Sequence, residues 1–246
     1  MRRLFYKGLL ADTIEITGSD AHHLMHVMRA KEGQEILIVD DENQVARMKM
    51  TGFREDAVTL TLTERVTADT ESPIDLVLAQ CLLKADKMDM VVQKAVELGA
   101  VGIMPLRSQN CVVRYDEKKA QARVARWQKI ADEAAKQCGR TALLTVEPVQ
   151  GLQEFLAKEA ACADSDLVFC YENESEQAVR EKLQESSAKR IVLLIGAEGG
   201  FTLEEAGQIK AAGGMSVTLG PRILRAETAA LAAMTVVQYE RGDLGN

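Results

Sequence analysis

Two short segments hold most of the residues whose types and spacing suit chemistry. The first, Gly196-Ala197-Glu198-Gly199-Gly200-Phe201, follows the apolar run Ile191 to Ile195. Three glycines within five residues let a backbone take positive φ and approach a ligand closely. The segment lacks the Gly-Lys-Ser/Thr ending of a P-loop and is not GxGxxG, and Glu198 would repel a phosphate. It therefore suits an uncharged or cationic ligand; the competing reading is a tight strand-to-helix turn. The second segment is Leu219-Gly220-Pro221-Arg222-Ile223-Leu224-Arg225-Ala226-Glu227-Thr228. Its two arginines and its glutamate suit either a ligand site or a solvated helix cap, with Glu227 favoured there by the helix dipole. Location separates these readings, because ligands of open α/β sheets bind at the carboxyl ends of the strands, and both segments leave such ends.

The elements that must position the two loops are legible from hydrophobic rhythm. After Pro73 the chain alternates strand and helix. Strands are predicted at Leu76 to Leu83, Val101 to Pro105, Leu143 to Val146, Leu167 to Tyr171, Ile191 to Ile195 and Val217 to Leu219. Continuous apolar runs such as Ile191 to Ile195 suit strands of a parallel sheet buried on both faces. Amphipathic helices are predicted at Asp86 to Leu98, Asp116 to Gln137, Glu176 to Ser186, Thr202 to Ala212 and Glu227 to Tyr239. Thr202-Leu203-Glu204-Glu205 reads as a capping box, and Gly99, Gly139 and Gly213 as helix C-terminal stops. Before Thr67 the pattern is short and alternating, with strands at Glu35 to Val39, Val45 to Met50 and Val58 to Leu62 and one helix at Asp20 to Ala30 carrying Leu24, Val27 and Met28. The polar stretch Thr67 to Ser72 divides a small β-rich domain, a compact barrel at 1–72, from an α/β domain at 73–246. The alternation alone predicts a doubly wound parallel sheet.

The composition sets outer bounds. The chain has 246 residues, 47% hydrophobic and 27% charged, with a net charge of −7, as in an ordinary folded protein. Net acidity argues against indiscriminate coating of nucleic acid. The charge is uneven, however: residues 84–140 carry a net +5 and residues 141–210 a net −7. No apolar run approaches the roughly 20 residues that span a bilayer, and no apolar stretch follows Arg2-Arg3, so neither a membrane span nor a signal peptide is expected. Cys81, Cys111, Cys138, Cys162 and Cys170 are scattered without a CxxC pair, which suits free thiols in a reducing cytoplasm. His22 and His26 stand four apart with no third ligand evident, so no metal is expected. Trp127 has the helical spacing of a core residue rather than of a base-stacking platform. Lys118, Lys119, Arg123, Arg126 and Lys129 form either a solvated face or an RNA contact. Two other classes stay open on residues alone: a nucleotide-binding oxidoreductase, disfavoured because Leu76 to Asp86 holds no glycine, and a non-catalytic RNA-binding factor.

Together, the two loops resemble the signature of the RsmE family, the 16S ribosomal RNA uridine N3-methyltransferases of the SPOUT superfamily. The likeness extends to His22-His23-Leu24 with Val27-Met28-Arg29, to Lys94-Ala95-Val96-Glu97-Leu98-Gly99, to Gln137-Cys138-Gly139-Arg140 and to Gly242-Asp243-Leu244-Gly245. It implies a PUA-like, RNA-binding β-barrel followed by a SPOUT-type parallel sheet with a C-terminal trefoil knot that binds S-adenosylmethionine. Gly196, Gly199, Gly200, Leu219, Gly220, Ile223, Leu224 and Arg225 match the family's cofactor loops, and Leu194 and Glu198 are counted with them. The resemblance also implies a homodimer and 16S rRNA within the 30S subunit as substrate, methylated in the decoding region. A sulfonium is a cation, so a glycine loop containing a glutamate tolerates it. Loss of the N3 proton leaves negative charge on the uracil, which Arg225 or Arg222 would stabilise. Arginine is too basic to be the general base, and Glu227 would hold Arg225 or accept a proton. RNA contacts are expected from Arg2, Arg3, Arg29, Arg123, Arg126 and Arg140. The chain departs from the family at Ala197, where proline is usual, at Asn110, where arginine is common, and after Arg140, where a proline is missing.

Overall fold

The structure, a computed structural model, describes residues 3–68, 70–162, 164–174 and 177–245. It divides into two compact units, one comprising 1–71 with 135–142 and the other comprising 72–134 with 143–246. Arg2, expected to touch RNA, lies outside the described residues.

In the first unit, β1 (Arg3–Phe5), β2 (Thr13–Thr17), β3 (Glu35–Val39), β4 (Val45–Phe53) and β5 (Ala57–Val66) form one sheet in the order β1-β3-β4-β5-β2. Strands β1 and β2 escape the sequence reading, although Ile14 and Ile16 alternate with exposed residues in the half-buried pattern. β4 slips register against β5 at Arg47/Met48 and at Met50/Gly52, and such bulges bend a sheet around its core. That core contains Ile14, Ile16, Leu24, Ile36, Ile38, Met48, Met50, Val58 and Leu60. The predicted turn after β3 is built on buried Asp40, whose carboxylate accepts the N–H groups of Leu10, Glu42 and Gln44 at 3.1, 3.0 and 2.8 Å.

The predicted helix at Asp20 to Ala30 differs in detail. It is α-helical only over α1 (Gly18–His22) and continues as a π-helical turn over His23–Val27. Wider winding displaces side chains from 3.6-residue spacing. Leu24 is buried and Met28 packs on the core, but Val27 turns out to solvent.

Arg140 requires a correction. It is only 4% exposed, and its guanidinium is held by Glu71, at 2.9 Å from Nε and 2.5 Å from Nη2. The other Glu71 oxygen accepts the N–H groups of Thr141 and Ala142 at 2.7 and 3.1 Å. Arg140 is therefore a buried structural cation rather than an RNA contact.

The second unit contains β6 (Asp75–Cys81), α2 (Lys87–Glu97), β7 (Gly102–Arg107), α3 (Glu117–Cys138, whose last turn belongs to the first unit), β8 (Thr145–Val146), β9 (Gln150–Gly151), α4 (Leu152–Glu159), β10 (Ser165–Cys170), α5 (Val179–Glu185), β11 (Arg190–Ile195), α6 (Leu203–Ala211), β12 (Met215–Val217) and α7 (Ala226–Arg241). The strands are all parallel, in the order β12-β10-β11-β6-β7-β8, with β9 also on β7. Ile191 to Ile195 are all buried, as their unbroken apolar run requires. α7 packs on α2 and α5 and on strands β6 and β11. Thr202 and Glu205 form the reciprocal capping box at the start of α6, at 3.1 and 3.0 Å. Helix α4 escapes the sequence reading; it is short and buries Leu152, Phe155 and Leu156.

Trp127 is 1% exposed and donates from Nε1 to Asp89 at 3.1 Å. It is a core residue, as its spacing predicts. Among the described residues no helix is long and apolar enough to cross a membrane. Cys81, Cys111, Cys162 and Cys170 are outside any disulfide.

Candidate active site

Parallel strands deliver their carboxyl ends to one edge of a sheet, and here three neighbouring strands do so around one pocket. Cys170 and Tyr171 at the end of β10, Ile195 at the end of β11 and Val217 at the end of β12 line a cavity of about 950 Å³. Both glycine-bearing loops wall it. Gly196, Glu198, Gly199 and Gly200 come from the first, and Leu219, Gly220, Arg222, Ile223, Leu224 and Arg225 from the second. β12 ends two residues before the predicted strand does, which frees Thr218 and Leu219 to join the wall. Ten of the expected site residues thus meet in one place.

Two expected residues do not line the pocket. Leu194 is wholly buried within β11, and its successor Ile195 reaches the cavity instead, because consecutive strand residues face opposite ways. Glu227 borders an adjoining groove between α2 and α7, and it is held by Lys87 (Glu227 Oε2 to Nζ, 3.2 Å) rather than by Arg225.

The first loop is held from beneath and from the side. Buried Gln80 donates to the carbonyl of Gly196 at 3.2 Å. Asn110, where the family commonly has arginine, donates to the carbonyls of Gly199 and Gly200 at 2.8 and 3.4 Å. Gly200 N–H closes on Ala197 O at 3.0 Å, so the turn forms without the usual proline. The glycines are sterically required. Gly200 has φ +62°, and a Cβ there would stand 2.3 Å from a Glu172 carboxylate oxygen. A Cβ on Gly196 would stand 3.2 Å from Gly200 Cα and 3.3 Å from its carbonyl carbon, both backbone atoms that cannot turn aside. Gly196→Val is accordingly expected to open the loop and weaken ligand binding by about ten- to hundredfold, from 1–3 kcal/mol of overpacking. Calorimetric titration of the folded variant checks this; affinity within twofold of the parent would refute it.

Charge is distributed asymmetrically. Glu198, at the cavity wall, accepts the Lys84 N–H at 3.1 Å and pairs with Lys87 at 3.5 Å. Desolvation pushes its carboxyl up, but the Lys84 amide and the Lys87 ammonium outweigh it and hold the group below the ordinary carboxylate range. Glu198 is therefore a neutralised loop anchor, not the bare carboxylate that the sequence suggests. Arg222 and Arg225 are exposed, and among the described residues neither makes an ion pair. Burial pushes the Cys170 thiol up to about 12, so this wall presents a neutral sulfur. Sequence reasoning passed over Lys87, Glu172 and Gln80. The first opens α2, just beyond the carboxyl end of β6, and that position was the available signal.

Elsewhere, Arg126 is engaged by Asp89 at 3.0 and 2.6 Å, while Arg123 and Lys119 flank the Tyr115 ring at 5.7 and 5.4 Å. Arg29 is exposed; Arg3 is half-buried. His22 and His26 are exposed with ring centroids 4.6 Å apart. Among the described residues no group of three or more metal-ligating side chains occurs.

The chain matches a family model described as an RNA methyltransferase domain over residues 70–238, and one described as an RNA methyltransferase PUA domain over residues 16–63. Ribosomal RNA small subunit methyltransferase E of Bacillus subtilis (strain 168) is 35% identical over 245 residues, which cover 95% of this chain and 94% of that protein. The crystal structure of a ribosomal RNA small subunit methyltransferase E from Neisseria gonorrhoeae bound to S-adenosyl methionine is 33% identical, covers 99% of both chains and superposes with a TM-score of 0.88. A putative methyltransferase from Legionella pneumophila in complex with bound SAM is 28% identical, with 98% of both chains covered and a TM-score of 0.83.

Proposed function

This chain belongs to the ribosomal RNA small subunit methyltransferase E family, and on that premise we propose that it methylates N3 of a specific uridine in the decoding region of 16S rRNA, with S-adenosylmethionine as donor. The observation that carries the reading is the single cavity walled by both glycine-bearing loops at the carboxyl ends of β10, β11 and β12. The residues fit the cofactor. Gly196, Gly199 and Gly200 let the first loop fold closely against itself, Asn110 and Glu172, where a Cβ would crowd its neighbours, and the pairing of Glu198 with Lys87 balances the carboxylate's charge at the pocket wall.

When bound, the cofactor supplies an electrophilic methyl group. The chain supplies alignment, since in-line transfer responds chiefly to the placement of donor and acceptor. Leu219, Ile223 and Leu224 offer apolar walls, and the glycines at 196, 199, 200 and 220 offer backbone polar groups unobstructed by side chains of their own. Arg225 and Arg222 line the cavity and make no ion pair among the described residues, and a guanidinium there would stabilise negative charge developing on a uracil that loses its N3 proton. Ile223, 86% exposed in this structure, suits closure of the second loop over a ligand.

The same proposal assigns RNA binding to the 1–72 domain and methyl transfer to the 73–246 domain, and takes the C-terminal loops as a trefoil knot in a cytoplasmic homodimer. The groove between α2 and α7, lined by Met90, Leu231 and Ala232, supports the dimer. Arg2, Arg3, Arg29, Arg123 and Arg126 remain the proposed RNA contacts; Arg140 does not. The test is transfer of labelled methyl from S-adenosylmethionine to 30S subunits lacking the modification, and to naked 16S rRNA, with the product mapped by mass spectrometry. Methyl at uridine N3 in 30S subunits is expected. A folded, cofactor-binding protein that labels neither RNA, or labels another atom, would sink the assignment.

A further inference from the structure

The site contains a cation that neither glycine loop supplies. Lys87, the first residue of α2, places Nζ 3.5 Å from Glu198 Oε1 and 3.2 Å from Glu227 Oε2. Glu198 belongs to the first loop, and Glu227 to the first turn of α7, which the second loop enters. All three side chains are largely shielded, at 31%, 23% and 15% exposure. Glu227 Oε2 is buried and makes no hydrogen bond among the described residues, so the neighbouring ammonium is its compensation. Lys87 also lines both the pocket and the adjoining groove.

Two partly buried carboxylates drawn to one point repel each other unless a cation lies between them. From this geometry we infer that Lys87 is a positioning residue: its ammonium ties the first glycine loop to the start of α7 and so holds the two walls of the methyl-donor site at a fixed separation. The inference rests on the methyltransferase reading of the pocket. Lys84 completes the arrangement, because its N–H donates to the same Glu198 oxygen, so one short segment after β6 grips the first loop by backbone and side chain together. The consequence is specific. Removing the ammonium unties the first loop from α7 and leaves Glu227 without its cation and Glu198 with only the Lys84 amide, so donor binding suffers before the chemical step does.

The experiment combines S-adenosylmethionine titration with steady-state kinetics for the full chain and for Lys87→Met, Lys87→Arg, Glu227→Gln and the Lys87→Met/Glu227→Gln double variant. Lys87→Met is expected to weaken donor affinity and raise the donor KM by about tenfold, with kcat at saturating donor within about threefold of the parent. Lys87→Arg, which can still bridge two carboxylates, restores affinity to within about threefold. The double variant is expected to lose less than the two single losses multiplied together. A Lys87→Met protein with unchanged donor affinity overturns the inference. So does one that binds donor normally but loses kcat, since Lys87 would then act on the reacting base. If Lys87→Met fails to fold, Glu227→Gln and Lys87→Arg decide the same question, and unchanged donor affinity in Glu227→Gln overturns the tie. Failure of the unaltered protein to bind donor overturns the functional reading as well, whereas failure of the variants alone to differ overturns only this one.

Discussion

Replacing Arg225 with alanine is expected to lower kcat for rRNA methylation by about 10²–10³-fold, the usual cost of removing one donor aimed at developing negative charge. Three observations support so large an effect. Arg225 lines the cavity. It is uncommitted among the described residues, in contrast with Arg126, Arg140 and Arg190, which are bound by Asp89, Glu71 and Glu159. Arg225 is also the N-cap residue of α7 but makes no side-chain capping bond, so its loss removes charge without unravelling the helix. Lysine should recover only part of the rate, because it keeps the charge but not the planar fork. Single-turnover transfer at saturating donor measures the chemical step, and a rate within threefold of the parent would transfer this role to Arg222.

The second large effect concerns stability. Glu71→Ala is expected to destabilise the first unit by about 1–3 kcal/mol, because the buried Arg140 guanidinium loses the carboxylate that accepts from it. The N–H groups of Thr141 and Ala142 lose their acceptor in the same step. Substituting both partners, as Glu71→Leu with Arg140→Met, should cost less than the two single losses added together, since the two side chains are in direct contact. Desolvation raises the Glu71 carboxyl, but Arg140 and the two backbone donors outweigh it and hold the group below its ordinary value of 4.5. A carboxyl depressed on folding contributes fully above its unfolded value and loses that contribution as pH falls through the folded one. The first unit should therefore loosen selectively below about pH 4. Hydrogen exchange of the β3, β4 and β5 amides is the suitable probe, because Trp127 reports on the other unit. An alanine variant protected like the parent would disprove the argument.

How much of this was legible in residue order depends on the range of the interaction. The strand at Ile191 to Ile195 announces itself by an unbroken apolar run, and the α6 cap by Thr202 and Glu205 three residues apart. Both are local signals, complete within one turn or one strand. The π-turn at His23–Val27 was not legible, because period counting assumes 3.6-residue winding. β1 and α4 were too short to rise above their surroundings, whereas β2 carried a readable alternation.

By itself, the sequence determined the residue types of both loops, the parallel character of the strands that bear them and, through their combined motifs, the family. The tertiary structure alone decided what those side chains do. Glu198 looks like a bare acid beside a ligand but is spent on Lys84 and Lys87. Asn110, which looks like a lost RNA contact, fastens the glycine loop. Arg140 looks like a surface cation and is buried on Glu71. Each outcome depends on which distant group shares a dielectric and a few ångströms with the charge, and chain topology sets that proximity where local spacing does not.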